Sequence, residues 1–197
     1  MEVLGSSGAM IVNTLGGLFI LLVLLRFLLQ VAKADFYNPF SQGIIKITNP
    51  AVKIFRQVIP SYKGIDFSTL ILALLLEIAT TYLLIVFYGF DVPGPGSIIT
   101  WSVIGLLFFI LNIYFYALLG SIIISFITML SGQARPHPAI QIIWQLTEPV
   151  MAPARKIIPP MGGLDFSPII IFLLIRLCQG VLSDFVNGDI ALVVIGM

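Results

Sequence analysis

The chain has 197 residues, 59% of them hydrophobic and 10% charged, with a mean hydropathy of +1.10 and a formal net charge of +1. About a quarter of the residues of a soluble domain are charged, so a water-facing fold cannot hide this much apolar surface, and lipid is the expected solvent. No basic domain or stripe is present of the kind nucleic acid requires, and the single cysteine, Cys178, excludes an internal disulfide.

A membrane helix needs roughly 20 mainly apolar residues. The first such segment is residues 9–31. It contains no Lys or Arg before Arg26, whereas a secretory leader begins with a basic stretch. This segment is therefore expected to stay in the mature protein. Arg26 lies near the following loop and can snorkel toward it, a structural role.

Residues 38–60 read as an amphipathic helix. Asn38 and Pro39 form a cap and a first-turn proline. In "AVKIFRQVI", Ala51, Val52, Ile54, Phe55, Val58 and Ile59 share one helical face, and Lys53, Arg56 and Gln57 take the other. Pro50 is expected to limit or kink the connection. A basic amphipathic helix beside a span lies in the headgroup layer. There each cation is worth about 1 kcal/mol against anionic lipid. Ile59–Pro60 ends the helix, Gly64 permits a positive φ, and Ser68 can cap the next span. Asp66 lies beside that span's positive end, with Arg56 ten residues back and able to fold over and pair with it.

The second span is residues 68–90. Glu77 lies about ten residues inside it, roughly 15 Å deep at 1.5 Å per residue. After the short "DVPGPGS" connection comes a third span within 98–130, longer than needed and hence tilted, kinked or protruding. A second amphipathic stretch, 137–159, keeps only the proline of the Asn–Pro start. The fourth span, 167–186, is the weakest, because Arg176 and Asp184 fall inside it.

A shift of 99 positions lays the chain on itself. From Phe36 to Glu77, 15 of 42 positions are identical without a gap, Arg56 falling on Arg155, Gly64 on Gly163 and Asp66 on Asp165. Self-similarity of this kind marks a tandem duplication. The expected fold is thus an all-α membrane protein with four transmembrane helices in a two-fold repeat. Each repeat, 1–96 and 97–197, is a span, a cytoplasmic amphipathic helix and a span. Parallel repeats imply an axis along the membrane normal. Eight of the ten Lys and Arg lie in the two long loops and none in the tails or the short connection. Positive loops stay cytoplasmic, so both termini are expected on the opposite, outer side of the membrane.

Two sets of candidate site residues follow. The first is the repeated corner: Lys53, Arg56, Gly64 and Asp66, echoed by Arg155, Lys156, Gly163 and Asp165. It reads either as a headgroup-level turn used twice or as a site for a lipid phosphate, another anion or a cation. The second is Glu77, which aligns with Arg176 at the same offset. Opposite charges at equivalent depth make either an ion pair that docks the halves or part of a polar path, with Asn13, Thr80, Thr81, Asn112 and Asp184 contributing. Gly16, Gly17, Gly105 and Gly120 would allow close helix packing.

No enzyme is read from the chain. His137 has no metal-ligand partners at a usual spacing, and no phosphate loop, dinucleotide fingerprint or nucleophile elbow occurs. Asp66 and Asp165 share one local context, unlike an acid–base couple. No cofactor and no metal are expected. The expected partners are the anionic headgroups of the bilayer and either another membrane protein or further copies of the chain, with no nucleic acid.

The stretch "ADFYNPFSQGIIKITNPAVKIFRQVIP…GID", with its echo "HPAIQIIWQLTEPVMAPARKIIPPMGGLDFSP", resembles the YggT family of bacterial integral membrane proteins, related to the YlmG group. Lys33, Asp35, Tyr37, Asn38 and Pro39 carry the likeness to the doubled, proteobacterial inner-membrane form. The second repeat departs there, with Arg135, Pro136 and His137. The resemblance implies a role in osmotic-shock tolerance and potassium homeostasis, with or without direct transport. Relatives in other lineages imply the alternative of a scaffold for division or cytochrome-maturation machinery. It supplies no catalytic residue.

Reporter fusions test the topology. Fusions at both termini and after Gly94 are expected to read periplasmic, and those near Lys53 and Arg155 cytoplasmic. A cytoplasmic N-terminus would overturn the charge-bias reading.

Overall fold

The computed structural model describes residues 2–62, 64–131, 137–158, 165, 167–186 and 194. Lys63, Arg135, Pro136, Pro159, Gly163 and Phe166 lie outside the described residues. Those described form six α-helices: α1 (Glu2–Val31), α2 (Pro39–Arg56), α3 (Phe67–Tyr88), α4 (Pro95–Ser131), α5 (Pro138–Ile157) and α6 (Ser167–Ser183). Three are long and apolar enough to cross a membrane, over Gly5–Val31, Phe67–Tyr88 and Pro95–Thr128. The fourth expected span is the shorter apolar helix α6, with 17 residues.

The amphipathic stretches fold as helices, and neither is ended by its internal prolines. Pro50 lies within α2, and Pro149 and Pro153 within α5. A proline inside a helix costs one backbone hydrogen bond, but both helices bury a face against neighbours, which outweighs that loss. The buried face of α2 is Ser41, Thr48 and Val52. Of the apolar arc read from the sequence, Val52 is buried and Ala51 and Phe55 pack against the same core, while Ile54 and Val58 are exposed beside the exposed Lys53. Helical periodicity alone does not say which part of a broad apolar arc meets protein and which meets lipid.

The largest core cluster joins Ile20, Val23, Leu24, Leu28 and Leu29 of α1 to Leu72 and Ala73 of α3 and Val52 of α2, and extends to Leu106 and Ile113 of α4. A second, of Leu118, Met151, Ala154, Ile171 and Ile175, joins α4, α5 and α6. α1 packs most extensively on α3. Gly16 makes that approach possible, because a methyl group there would stand 2.8 Å from Thr80 Oγ1. Gly17 and Gly120, also expected at helix contacts, face nothing within 4 Å.

Arg26 does not snorkel. It is 5% exposed, and its Nη1 donates to Thr48 Oγ1 at 2.9 Å, with longer contacts from Nη1 to Ile45 O and from Nη2 to Asn49 Oδ1 at 3.5 Å each. Thr48 in turn donates to Ile44 O at 2.7 Å. The guanidinium is held because α2 lies against α1 and offers it oxygens. A buried cation needs such partners, and here the partners also dock the amphipathic helix.

A paired substitution isolates this contact. Thr48→Val is expected to destabilise the protein by about 1.5–3 kcal/mol, the usual worth of a hydrogen bond to a charged group. Thr147→Val, at the matching place in α5, removes a hydroxyl bonded to Ile143 O but, among the described residues, to no arginine and is expected to cost less. Denaturant titrations in micelles measure both. Equal losses would show that Arg26 contributes nothing through Thr48.

Candidate functional site

At each corner the chain leaves an amphipathic helix and enters an apolar one. In the first, Arg56 Nε donates to Asp66 Oδ2 at 2.9 Å, and Nη2 makes an ion pair with the same oxygen. Thr69 Oγ1 donates to Asp66 Oδ2 at 2.9 Å. Gly64 takes φ 82°, a left-handed conformation that glycine adopts freely. In the second, Arg155 Nε donates to Asp165 Oδ2 at 2.8 Å, and Nη1 pairs with Glu148 Oε2 at 2.9 Å. The ten-residue folding-back therefore occurs at both corners. The serines play a different part from the one expected. Ser68 Oγ donates backward to Ile59 O at 2.7 Å, and Ser167 Oγ to Ile158 O at 3.3 Å. Each ties the end of the amphipathic helix to the start of the next, while Asp66 occupies the position before α3 and Asp165, two residues before α6, accepts from Ser167 N at 2.9 Å. Lys53 and Lys156 are exposed.

Burial acts to raise the Asp66 carboxyl, but hydrogen bonds from Arg56 and Thr69 and the Arg56 charge outweigh it and hold the group below its ordinary value. At Asp165 burial is again opposed, by Arg155 and Ser167, with the same result. The hydrogen bond with Asp165 raises Arg155 against its own desolvation.

The starts of α2 and α5 meet. Asn38 caps α2 by accepting from Phe40 N at 3.0 Å, and its Nδ2 donates across to Pro138 O at 2.9 Å. His137 does more than flank a proline, since its Nδ1 accepts from Ala139 N at 3.3 Å, in the cap position that Asn38 fills. The Phe40 and His137 rings meet edge to face at 6.0 Å. Capping by a histidine is not a signal that sequence preferences supply.

Between α1, α3, α4 and the amphipathic helices lies a cavity of about 760 Å³. Its polar wall is Asn13, Glu77, Thr80, Thr81 and Asn112, and its other wall is apolar, from Leu25 and Leu29 to Ile142 and Leu146. Glu77 is 7% exposed. Among the described residues it has neither a hydrogen bond nor an ion pair. Gly105 faces it so closely that a methyl group there would stand 2.5 Å from Glu77 Oε1.

The structure does not bring Glu77 and Arg176 together. Arg176 Nη1 donates to Gln179 Oε1 at 3.2 Å, and its guanidinium lies 4.6 Å from the centre of the Phe115 ring. Gln179 Nε2 then donates to Asn112 Oδ1 at 2.8 Å. Equivalence along the sequence fixes depth but not the direction in which a side chain points, and Glu77 points into the cavity. Of the residues grouped with them, Asn13, Thr80, Thr81 and Asn112 share the cavity wall with Glu77, and Asp184 does not. Gln179 was missed, although it stands three residues from Arg176, on the same helical face.

The sequence model of the CCB3/YggT family matches residues 6–87 and again 100–186. An uncharacterized protein of Pseudomonas aeruginosa is 39% identical over 88% of this chain and 87% of its own length. An uncharacterized protein encoded beside proC in Vibrio alginolyticus is 37% identical over 94% and 95%. The uncharacterized protein YggT of Escherichia coli is 36% identical over 84% and 83%. No solved structure matches.

The corner aspartates give a pH dependence with a definite sign. A carboxyl held below its unfolded value, here 3.8, stabilises the fold above that value and loses its contribution as pH falls through the folded pKa. Thermal stability in micelles is therefore expected to fall on the acid side below about pH 4, and Asp66→Asn is expected to shrink that acid-side fall. An unchanged profile in Asp66→Asn would remove the corner from the pH dependence.

Proposed function

Because this chain belongs to the CCB3/YggT family and encloses a buried carboxylate in a cavity, we propose that it is a non-enzymatic membrane protein of osmotic and potassium homeostasis that passes a monovalent cation or proton by way of Glu77. The observation that carries this reading is Glu77, buried among apolar helices with no cation beside it among the described residues. An ionised carboxylate in that setting is costly by itself, at about 2.5–3.5 kcal/mol on insertion scales, and intramembrane acids of this kind mark ion and proton paths. Gly105 leaves the space in which the carboxylate sits.

In this reading α1, α3, α4 and α6 are four crossings arranged as a doubled span–amphipathic helix–span unit. The double match of the family model and the matching Arg–Asp corners support it. The membrane is the bacterial inner membrane, with both termini periplasmic. Lys53 and Lys156 meet anionic headgroups beside the exposed Ile54, Val58 and Ile157. The physiological setting rests on the family likeness.

A scaffold for envelope machinery is the second reading, and one observation favours it. Arg176 is exposed on the apolar helix α6, among the exposed Leu173, Leu174 and Leu177. A cation facing lipid is costly, and a membrane-protein partner or a second copy would supply it with acceptors.

Potassium and proton flux into liposomes containing the purified protein separates these readings. Flux well above that of empty liposomes is expected, and Glu77→Gln is expected to lower it by about tenfold, the effect of roughly 1.4 kcal/mol on a barrier. Folded protein that passes neither ion would sink the path and leave the scaffold.

A further inference from the structure

The two halves treat one location differently. In the first, Arg26 fills the space between α1 and α2, with Thr48 Oγ1, Ile45 O and Asn49 Oδ1 around its guanidinium. Shifted by 99, Arg26 becomes Ser125, Thr48 becomes Thr147, Asn49 becomes Glu148 and Ile45 becomes Trp144. The structure has a cavity of about 390 Å³ at that place, and Ser125, Trp144, Thr147, Glu148, Arg155 and Asp165 all line it. The second half has kept the threonine, exchanged the other two neighbours and lost the arginine.

We propose that this cavity binds an ammonium group, supplied either by an ethanolamine lipid headgroup or by a free primary amine. Three features of the wall favour a cation of that kind. First, Thr147 is 2% exposed and donates its own proton to Ile143 O, so its oxygen is left as an acceptor, the part Thr48 plays toward Arg26. Second, among the described residues the lining carries one cation and two carboxylates. Arg155 pairs with both Glu148 and Asp165, leaving one negative charge in excess, where the first half has a neutral Asn49 and an arginine of its own. Third, Trp144 replaces an isoleucine, and indole faces attract ammonium groups better than other aromatic rings do. The volume exceeds that of a bare ion and suits an organic group. The place, beside α5 and the start of α6, is the corner level, where headgroups lie if the helices cross a bilayer. Nothing here depends on Glu77 or on ion passage.

Trp144 is also a reporter. The chain has two tryptophans, so Trp101→Phe leaves Trp144 alone. The full-length Trp101→Phe protein is placed in phosphatidylcholine nanodiscs and titrated with ethylammonium chloride, with potassium chloride as the ionic-strength control. A parallel set of nanodiscs contains phosphatidylethanolamine. A saturable change in Trp144 fluorescence is expected with ethylammonium, with the ethanolamine lipid, or with both. The free-amine arm identifies a soluble ligand, and a response confined to the lipid arm identifies a headgroup. Ser125→Arg, which restores the first half's arginine, is expected to abolish the response at an unchanged unfolding midpoint. Glu148→Gln is expected to weaken binding about tenfold, as loss of a charge-assisted contact does. The proposal is overturned by no response in either arm, by an equal response to potassium chloride, or by an undiminished response in folded Ser125→Arg. If Ser125→Arg does not fold, unchanged affinity in both Glu148→Gln and Thr147→Val overturns it.

Discussion

The Arg–Asp pair at each corner is the constraint on which the architecture depends. A chain that runs as a polar-faced helix must turn and enter an apolar one within about ten residues. Its backbone groups at the turn have no helical partners, and unpaired polar groups are costly away from water. Arg56 and Asp66 close that excursion with two contacts to one oxygen, and the Ser68 hydroxyl takes up the carbonyl of Ile59. The angle between α2 and α3 follows from this closure. With it comes the seating of Val52 in the same core as Leu72 and Ala73. The second corner repeats the closure and adds Glu148 as a second acceptor for the arginine.

From that shared frame the halves diverge where they carry charge. Arg26 fastens α2 to α1, and its counterpart Ser125 leaves a cavity beside α5. Glu77 turns into the central cavity, and its counterpart Arg176 rests on Phe115 and Gln179. Apolar packing is tolerant of exchange among residues of similar volume, and each half has an apolar cluster of its own, the larger one built around α1 and α3. A charge in an apolar setting is costly in each place it can occupy, so each one requires its own local solution.

Much of the corner could be read from the chain, because its parts are local. The Arg-to-Asp spacing, the glycine and the helix-ending proline act within about a dozen residues, where spacing dictates what can meet. The Asn38 cap was readable for the same reason. The role of His137 as a cap was hidden, because histidine carries no strong preference there. Of the two roles open to Glu77 and Arg176, an ion pair or a polar path, the direct pair is not formed. Its premise was equal depth, and depth leaves rotation about the helix axis undetermined.

The amino-acid sequence by itself determined the helical class, the apolar segments, the doubled pattern and the corner chemistry. Each of these follows from composition, periodicity or short-range spacing. Only the tertiary structure decided which face of α2 is buried, that Arg26 turns inward to Thr48 rather than outward, and that Glu77 faces a cavity while Arg176 does not. Those outcomes depend on how helices far apart in sequence rotate and approach. Close packing at sites such as Gly16 against Thr80 sets that rotation for all the side chains of a helix together, and no single segment contains that information.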